Sequence, residues 1–315
     1  MFRTLLRSMT AILLTAAAAF ALAPTADASP PTLSAEAVDL SVPGPFSVAY
    51  TDLTVSAAGR TYSARVWYPG TTAGTTAGAD APVATGAHPG LAFGHGFFQA
   101  ITQYEGLLKH YASWGVITVV PKSQGGLFPS HSAFADDLNA GLTWLTAQNT
   151  ASGSRFASRV DTSRYAVSGH SMGGGAALLA ASRNPAVKSV TTLAAAETNP
   201  SAITASTALG MPVQYVGGSA DSIAGVAGNQ QKMYDAKSSG TQLRVITGGF
   251  HCGFEDSSGF GCDSGTISRA AQQKLTYAIT TSWLLYTLGV DTSLYDQVWG
   301  SAAQNLAGVV YSAKP

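Results

Sequence analysis

The stretch YAVSGHSMGGGAALLAASR, residues 165–183, decides the fold, because a strand, a turn and a helix follow one another in it without a break. Residues 165–168 form a short apolar run, and residues 172–183 are rich in alanine and leucine, which favour a helix. The pattern G-x-S-x-G lies between them, over residues 169–173, with Ser171 at its centre. A tight strand-to-helix turn projects the serine side chain, and glycines on both sides of it remove collisions with neighbouring backbone.

Short apolar runs and amphipathic helical patterns alternate on both sides of this stretch. Strands are predicted at residues 91–93, 116–120, 190–193, 213–216 and 243–246. One predicted helix carries Phe134, Leu138, Leu142 and Leu145 on one face, and the last long helix is predicted over residues 267–288. Strands that alternate with helices are typical of a mostly parallel sheet with helices on both faces, so the predicted class is α/β.

The sequence before residue 91 has a different character. Residues 47–56 and 61–68 alternate between apolar and polar side chains, which predicts two half-buried antiparallel strands that open the sheet. Residues 70–88 consist largely of Gly, Thr, Ala and Pro, so we expect an exposed loop there.

A serine hydroxyl is a weak nucleophile until a base takes its proton and an acid holds the base. In the α/β-hydrolase fold the acid and then the histidine follow the serine, each in a loop after a later strand. Of the six histidines, only His251 follows Ser171, and it comes shortly after the strand at residues 243–246. Asp221 lies a short loop beyond the strand at residues 213–216. The other downstream candidates for the acid do not follow a predicted strand so closely; they are Asp235, Asp256 and Asp263.

Attack on a carbonyl group creates an oxyanion, which needs preorganised amide donors. We predict that Met172 supplies one amide and Phe97, in the glycine-containing loop at residues 94–98, supplies the other. The alternative is that this loop is only a tight strand-to-helix turn. Phe98 and His170 flank the site and are expected to border the substrate, with His170 as a packed or hydrogen-bonded neighbour and not a catalyst.

The two cysteines, Cys252 and Cys262, predict a disulfide bond beside His251. A zinc site is the alternative, but two thiols without a His-x-x-x-His pattern make a poor ligand set. We therefore expect neither a metal nor an organic cofactor.

Residues 1–28 have the three parts of a secretory signal peptide. Arg3 and Arg7 are the cationic start, residues 11–23 are apolar, and Ala26 and Ala28 frame a cleavage site. The remaining residues, 29–315, are expected to form one catalytic domain, secreted to the outside of the cell. A membrane anchor is the alternative, although the apolar run is shorter than the roughly 18 to 20 residues that a spanning helix needs.

The overall charge excludes two classes of partner. The 315 residues include 17 Lys and Arg and 17 Asp and Glu, for a formal net charge of +0. A chain without net positive charge is not expected to bind nucleic acid or an anionic membrane surface by electrostatic attraction. We expect a monomer whose partner is an ester substrate.

Several segments resemble a known family when they are taken together with the serine motif. They are VWYP at residues 66–69, GHGFF at 94–98, GHSMGGG at 169–175, DSIA at 221–224, GGFHC at 248–252, and WL at 283–284 followed by DT at 291–292. Over most of its length the chain is similar to bacterial polyester hydrolases and cutinase-like esterases, including poly(ethylene terephthalate) hydrolases, with the related chlorophyllase and dienelactone hydrolase types.

The resemblance implies an α/β-hydrolase fold without a large lid, and hydrolysis of carboxylic esters without a cofactor. It implies that Phe97 supplies an aromatic wall as well as an oxyanion amide, that Met172 supplies the other amide, and that Ile223 lines the acyl cleft. Two departures from the family leave the natural ester, and a preference for polymer or small molecule, open. Polyester-degrading members usually carry Pro-Trp where this chain has AETNP at residues 196–200, and Tyr where it has Phe97.

Two other functions remain as alternatives to a carboxylesterase. A lipase for long acyl chains generally needs a mobile apolar lid, for which residues 70–88 are too polar. A secreted binding protein without catalysis would tolerate the loss of Ser171 or His251, yet both are present.

Overall fold

In the computed structural model, a mixed β-sheet runs through the described part of the chain, which comprises residues 38–71, 78–259 and 261–315. Its strands, in chain order, are β1 Ser47–Ala57, β2 Arg60–Gly70, β3 Gly78–Ala79, β4 His88–Gly94, β5 Ile117–Pro121, β6 Val160–His170, β7 Val187–Leu193, β8 Val213–Gly218, β9 Thr241–Ile246 and β10 Val309–Lys314. The predicted signal peptide at residues 1–28 lies outside the described residues.

The strands lie in the order β10-β9-β8-β7-β6-β4-β5-β2-β1-β3. Six consecutive strands, from β5 through β4, β6, β7 and β8 to β9, are parallel. The pairs β2 with β5, β1 with β2, and β10 with β9 are antiparallel. Because the carboxyl ends of parallel strands meet at one edge of a sheet, the loops after β4, β6, β8 and β9 converge there.

The helices are α1 Glu105–Ser113, α2 His131–Thr150, α3 Met172–Arg183, α4 Ala202–Thr207, α5 Gln230–Ala236, α6 Arg269–Thr287, α7 Tyr295–Val298 and α8 Ser301–Gln304. The predicted inner face of α2 is confirmed, since Phe134, Leu138, Leu142 and Leu145 are at most 1 % exposed. Among the helices of the described residues, none combines the length and the apolar composition of a membrane span.

Successive residues of the central strands pack into two different apolar clusters. In β4, Ala92 belongs to a cluster with α2 and α3, whereas Leu91 and Phe93 belong to a second cluster with α1 and α6. Successive side chains of a strand point to opposite faces, so these clusters cover the two faces of the sheet. The predicted α/β-hydrolase fold, a mostly parallel sheet with helices on both faces, is confirmed.

The structure departs from the prediction at several places, of which two concern the sheet. The expectation of an exposed loop over residues 70–88 is wrong at Val83 and Ala84, which are only 4 % and 7 % exposed. There the chain runs back along the end of β2, and the amide of Ala84 donates to the carbonyl of Pro69 over 2.8 Å. The edge strand β10 was not predicted either, because its six residues show no period that marks a strand before its partner is known.

Candidate active site

Ser171 occupies a sharp turn between β6 and α3. Its backbone has φ 54° and ψ −121°, a left-handed conformation that non-glycine residues rarely adopt and that costs about 1–3 kcal/mol. The end of β7 fixes this conformation, because the amide of Ser171 donates to the carbonyl of Leu193 over 2.9 Å. The carbonyl of Ser171 in turn accepts from the amide of Ala196 over 3.0 Å.

The two glycines of the motif allow three backbone segments to meet at this turn. A Cβ atom on Gly169 would lie 2.4 Å from the carbonyl carbon of Gly173. A Cβ atom on Gly173 would lie 2.1 Å from the carbonyl oxygen of Gly94, at the end of β4. Real Cβ contacts are much longer, so the close packing predicted for these glycines is confirmed.

Asp221 and His251 face each other across the loops after β8 and β9. His251 Nδ1 lies 2.8 Å from Asp221 Oδ2, and the side chains are 5 % and 0 % exposed. Asp221 Oδ1 accepts from the amides of Ile223 and Ala224 over 2.9 and 2.7 Å. The carboxylate is therefore held on both oxygens, and it directs Nε2, the other ring nitrogen of His251, away from itself.

Contacts between these two loops, and with α6, explain why the pair meets. The amide of Ala220 donates to the carbonyl of Gly249 over 2.8 Å, and a Cβ atom on Gly218 would lie 2.4 Å from that carbonyl. The buried Gln272 of α6 brackets Phe250, accepting from its amide over 2.9 Å and donating to its carbonyl over 2.8 Å. His251 follows directly, so the two hydrogen bonds to α6 fix the position of the backbone that carries the imidazole.

One cavity of about 170 Å³ joins most of the predicted site residues. Ser171 and His251 line it together with Phe97, His170 and Ile223. Asp221 lies behind His251, and Phe98 is not among the lining residues. Instead, Phe98 is 63 % exposed, with its ring 6.3 Å from that of Phe97.

The predicted oxyanion donors come from two segments, the start of α3 and the loop after β4. Met172 is the first residue of α3, where an amide has no carbonyl one turn earlier in the helix to bind. Phe97 is in the loop after β4, lines the cavity and is 49 % exposed. The donor roles of both amides stay predictions.

The predicted disulfide bond is confirmed. Cys252 and Cys262 are joined with a Cα–Cα distance of 5.7 Å, and both line the cavity beside Glu255. Since both sulfurs are consumed by the bond, they cannot serve as thiolate ligands of a metal together with this glutamate.

Asp263, next to the disulfide, joins the loop of the acid to the loop of the histidine. Its Oδ2 accepts from the amides of His251 over 2.9 Å and Ser222 over 3.2 Å. Its Oδ1 accepts from the amide of Cys252 over 3.1 Å. From the sequence, Asp263 was only an alternative candidate for the acid, and its one distinguishing feature was its position directly after Cys262.

We expect the substitution Asp263→Asn to lower both stability and activity. The amide side chain has one acceptor atom instead of two, so one backbone donor loses its partner at a cost of about 1–3 kcal/mol. Thermal unfolding and turnover of a soluble ester would measure the two effects. Asp235→Asn is the matched control, since Asp235 is exposed on α5 and its carboxylate accepts only from Gln231 in the described structure. Equal stability of the two variants would contradict this role.

A buried polar cluster lies behind His251, and no sequence pattern indicated it. The His170 and His251 rings lie 4.5 Å apart, and Tyr104 Oη lies 2.9 Å from His170 Nδ1. Burial, followed by the charge of His251, holds the pKa of His170 well below its usual range, so this imidazole is neutral. Burial raises the pKa of Glu255 to about 7. The cluster thus contains an ionisable carboxyl group in addition to Asp221.

Comparison with known proteins agrees with this architecture. The model of a family described as PET hydrolase-like matches residues 23–262, a range that includes Ser171, Asp221 and His251. Cutinase 1 of Thermobifida cellulosilytica is 31% identical over 195 residues, which are 61% of this chain and 66% of that protein. The cutinase of Thermobifida fusca (strain YX) is also 31% identical over 195 residues, 61% of this chain and 57% of that protein. The alignment therefore spans less than two thirds of either relative, whereas the family model covers most of the chain: the protein belongs to the PET hydrolase-like family.

Proposed function

We propose that the protein is a secreted serine carboxylesterase that hydrolyses carboxylic esters through an acyl-enzyme intermediate. One observation carries the proposal. His251 Nδ1 lies 2.8 Å from Asp221 Oδ2, in the wall of a cavity that Ser171 also lines. This arrangement supports the assignment of Ser171 as nucleophile, His251 as base and Asp221 as acid in acyl transfer.

In the proposed mechanism, Ser171 Oγ attacks the ester carbonyl while His251 Nε2 takes the hydroxyl proton. The amides of Met172 and Phe97 donate to the oxyanion of the tetrahedral intermediate. The intermediate collapses, the C–O bond to the alcohol breaks, and His251 returns the proton to the leaving alkoxide. Water then attacks the acyl-enzyme with His251 again as base, and Asp221 stabilises the imidazolium in both steps.

The dimensions of the cavity favour a short acyl group. Its volume of about 170 Å³ is below the roughly 300–1,000 Å³ of pockets that enclose drug-sized ligands. Phe97 and Ile223, 49 % and 50 % exposed, give it apolar walls that are open to solvent. A small, open site suits short esters, and it suits an ester bond within a polymer segment better than a fully enclosed chain. A long-chain lipase is the weaker alternative.

The disulfide supports the proposed export. A bond between Cys252 and Cys262 persists in an oxidising compartment and is rare in the cytosol. The predicted signal peptide at residues 1–28 supplies the route.

A fluorophosphonate probe tests the proposed function directly, because it reacts with activated serines. We expect stoichiometric labelling, with the modified peptide mapping to Ser171 and no labelling after heat denaturation. A series of p-nitrophenyl esters from acetate to palmitate should show the highest kcat/KM for the short acyl chains. Labelling at another serine would refute the assignment, and a maximum at palmitate would favour the lipase.

A further inference from the structure

A chain of buried polar groups connects the loop after β4, the serine turn and the histidine loop. The amide of Gly96 donates to Tyr104 Oη over 2.9 Å, and Tyr104 Oη lies 2.9 Å from His170 Nδ1. Glu255 Oε1 lies 3.6 Å from the same nitrogen. Tyr104 is 0 % exposed, and the side chains of His170 and Glu255 are each 1 % exposed. The triad proposed above does not use this glutamate, although it lines the same cavity.

The hydrogen atoms of this chain can be arranged for either charge state of Glu255. When Glu255 is neutral, its hydroxyl group can donate to Tyr104 Oη, and Tyr104 donates to the unprotonated Nδ1 of His170. When Glu255 is ionised, Tyr104 donates to the carboxylate and accepts from Nδ1–H of the other His170 tautomer. In both states Tyr104 Oη still accepts from the amide of Gly96. In the described structure, His170 Nε2 and Glu255 Oε2 are buried without a hydrogen-bond partner.

The charges around Glu255 couple it to His251. Burial is the main cause that raises its pKa to about 7, and the charges of His251 and Arg269 oppose this rise. The guanidinium of Arg269 donates to the backbone carbonyl of Glu255 over 2.6 Å, so it lies on the backbone side of this residue. The titratable and charged groups that face Glu255 from the surrounding segments are His251, Arg269, Tyr104, His170 and Asp263.

We propose that Glu255 is a positioning residue of the active site, whose carboxylate is a second negative charge, after that of Asp221, that stabilises the imidazolium of His251. This inference rests on the proposed function, because the imidazolium forms when His251 takes the proton of Ser171. The interaction is reciprocal. A positive charge on His251 favours the ionised form of Glu255, and ionised Glu255 favours the protonated form of His251.

We expect two effects in the variant Glu255→Gln, one on kcat and one on the pH profile. Above about pH 7, where Glu255 is ionised, loss of its charge makes the imidazolium less stable, so kcat should fall about 3- to 10-fold. The same loss makes the resting His251 harder to protonate. The acid limb of the pH profile should therefore move to lower pH where it overlaps the ionisation of Glu255, by up to about 0.5 unit. A merely structural defect would lower activity at every pH and leave this midpoint in place.

The experiment measures kcat and kcat/KM for p-nitrophenyl butyrate from pH 5 to 9 in four proteins. They are the natural enzyme, Glu255→Gln, Glu255→Asp and the control Asp136→Asn. The control also replaces a carboxylate by an amide, at a surface residue of α2 that pairs with Arg183. We expect the midpoint of the acid limb to shift in Glu255→Gln alone and to return toward the natural value in Glu255→Asp. An unshifted midpoint in Glu255→Gln, or the same shift in Asp136→Asn, would overturn the proposal.

A second measurement keeps the test independent of turnover. The ring signals of His251, followed by NMR against pH in the same proteins, should titrate at lower pH in Glu255→Gln than in the natural enzyme, and an unchanged titration would overturn the proposal. If the glutamine variant does not fold, Glu255→Met, which also removes the charge and is similar in length, takes its place in both measurements and is judged by the same criterion. A Ser171→Ala arm in the turnover assay tests the proposed function separately.

Discussion

Replacing Ser171 with alanine is expected to lower kcat for soluble esters by about 10⁴- to 10⁶-fold while the fold is retained. The substitution removes the hydroxyl group of Ser171, the proposed nucleophile, which lines the cavity. In the proposed mechanism no acyl-enzyme can then form, and the slow remaining reaction would depend on water and on the proposed oxyanion donors, the amides of Met172 and Phe97. Alanine tolerates φ 54° no worse than serine does, so the melting temperature should change by only a few degrees.

Ser182→Ala is the matched control for this variant. Ser182 is exposed near the end of α3, where its hydroxyl donates to the carbonyl of Leu179 over 2.8 Å. We expect natural activity and natural fluorophosphonate labelling in the control, and neither in Ser171→Ala. A Ser171→Ala protein that retains one tenth of the natural kcat would remove the basis of the proposed function.

Asp221→Asn is expected to have the second largest effect, a loss of about 10³- to 10⁴-fold in kcat. The amide side chain can still accept from Ile223 and Ala224 through its oxygen, so the loop keeps its shape. Its NH₂ group then donates to His251 Nδ1, which places the ring proton on Nε2, the atom that must accept the proton of Ser171. The base is thus held in the wrong tautomer, and no carboxylate remains beside the imidazolium.

Two comparisons isolate this effect. Asp235→Asn makes the same chemical change at an exposed site, and kcat should be unchanged. The KM of Asp221→Asn should remain within a few fold of the natural value, because Asp221 lies behind His251 and does not line the cavity. A kcat within tenfold of the natural enzyme would show that another residue is the acid, and Asp263 would be the first to test.

The serine turn could be predicted because its requirements are local. A strand, a sharp bend and a helix lie within 19 residues, from 165 to 183, and the bend needs small residues on both sides of Ser171. His251 and Asp221 could be predicted because parallel strands bring the loops at their carboxyl ends to one edge of the sheet. For both residues, the position after a strand was enough to identify a candidate. The geometry of their hydrogen bond was not.

The buried cluster could not be predicted from the sequence. Tyr104 and His170 are in contact although they are 66 residues apart in the chain. The spacing of Tyr104 predicts only that it belongs to the inner face of a helix. The sequence predicts an exposed position for Glu255, because it lies in a polar segment and charged side chains are rarely buried. Asp263 could be recognised only as one of several downstream carboxylates.

The sequence by itself determined the α/β-hydrolase fold, the serine turn, the disulfide and the candidates for base and acid, because each depends on periodicity, on local steric demands or on strand order. The tertiary structure alone decided which polar side chains lie behind His251, that Asp263 ties the two loops together and that Glu255 is buried. Those properties depend on the distance between segments that are far apart in the chain, and on the exclusion of water where they meet. Neither the distance nor the exclusion of water is set by any short stretch of residues.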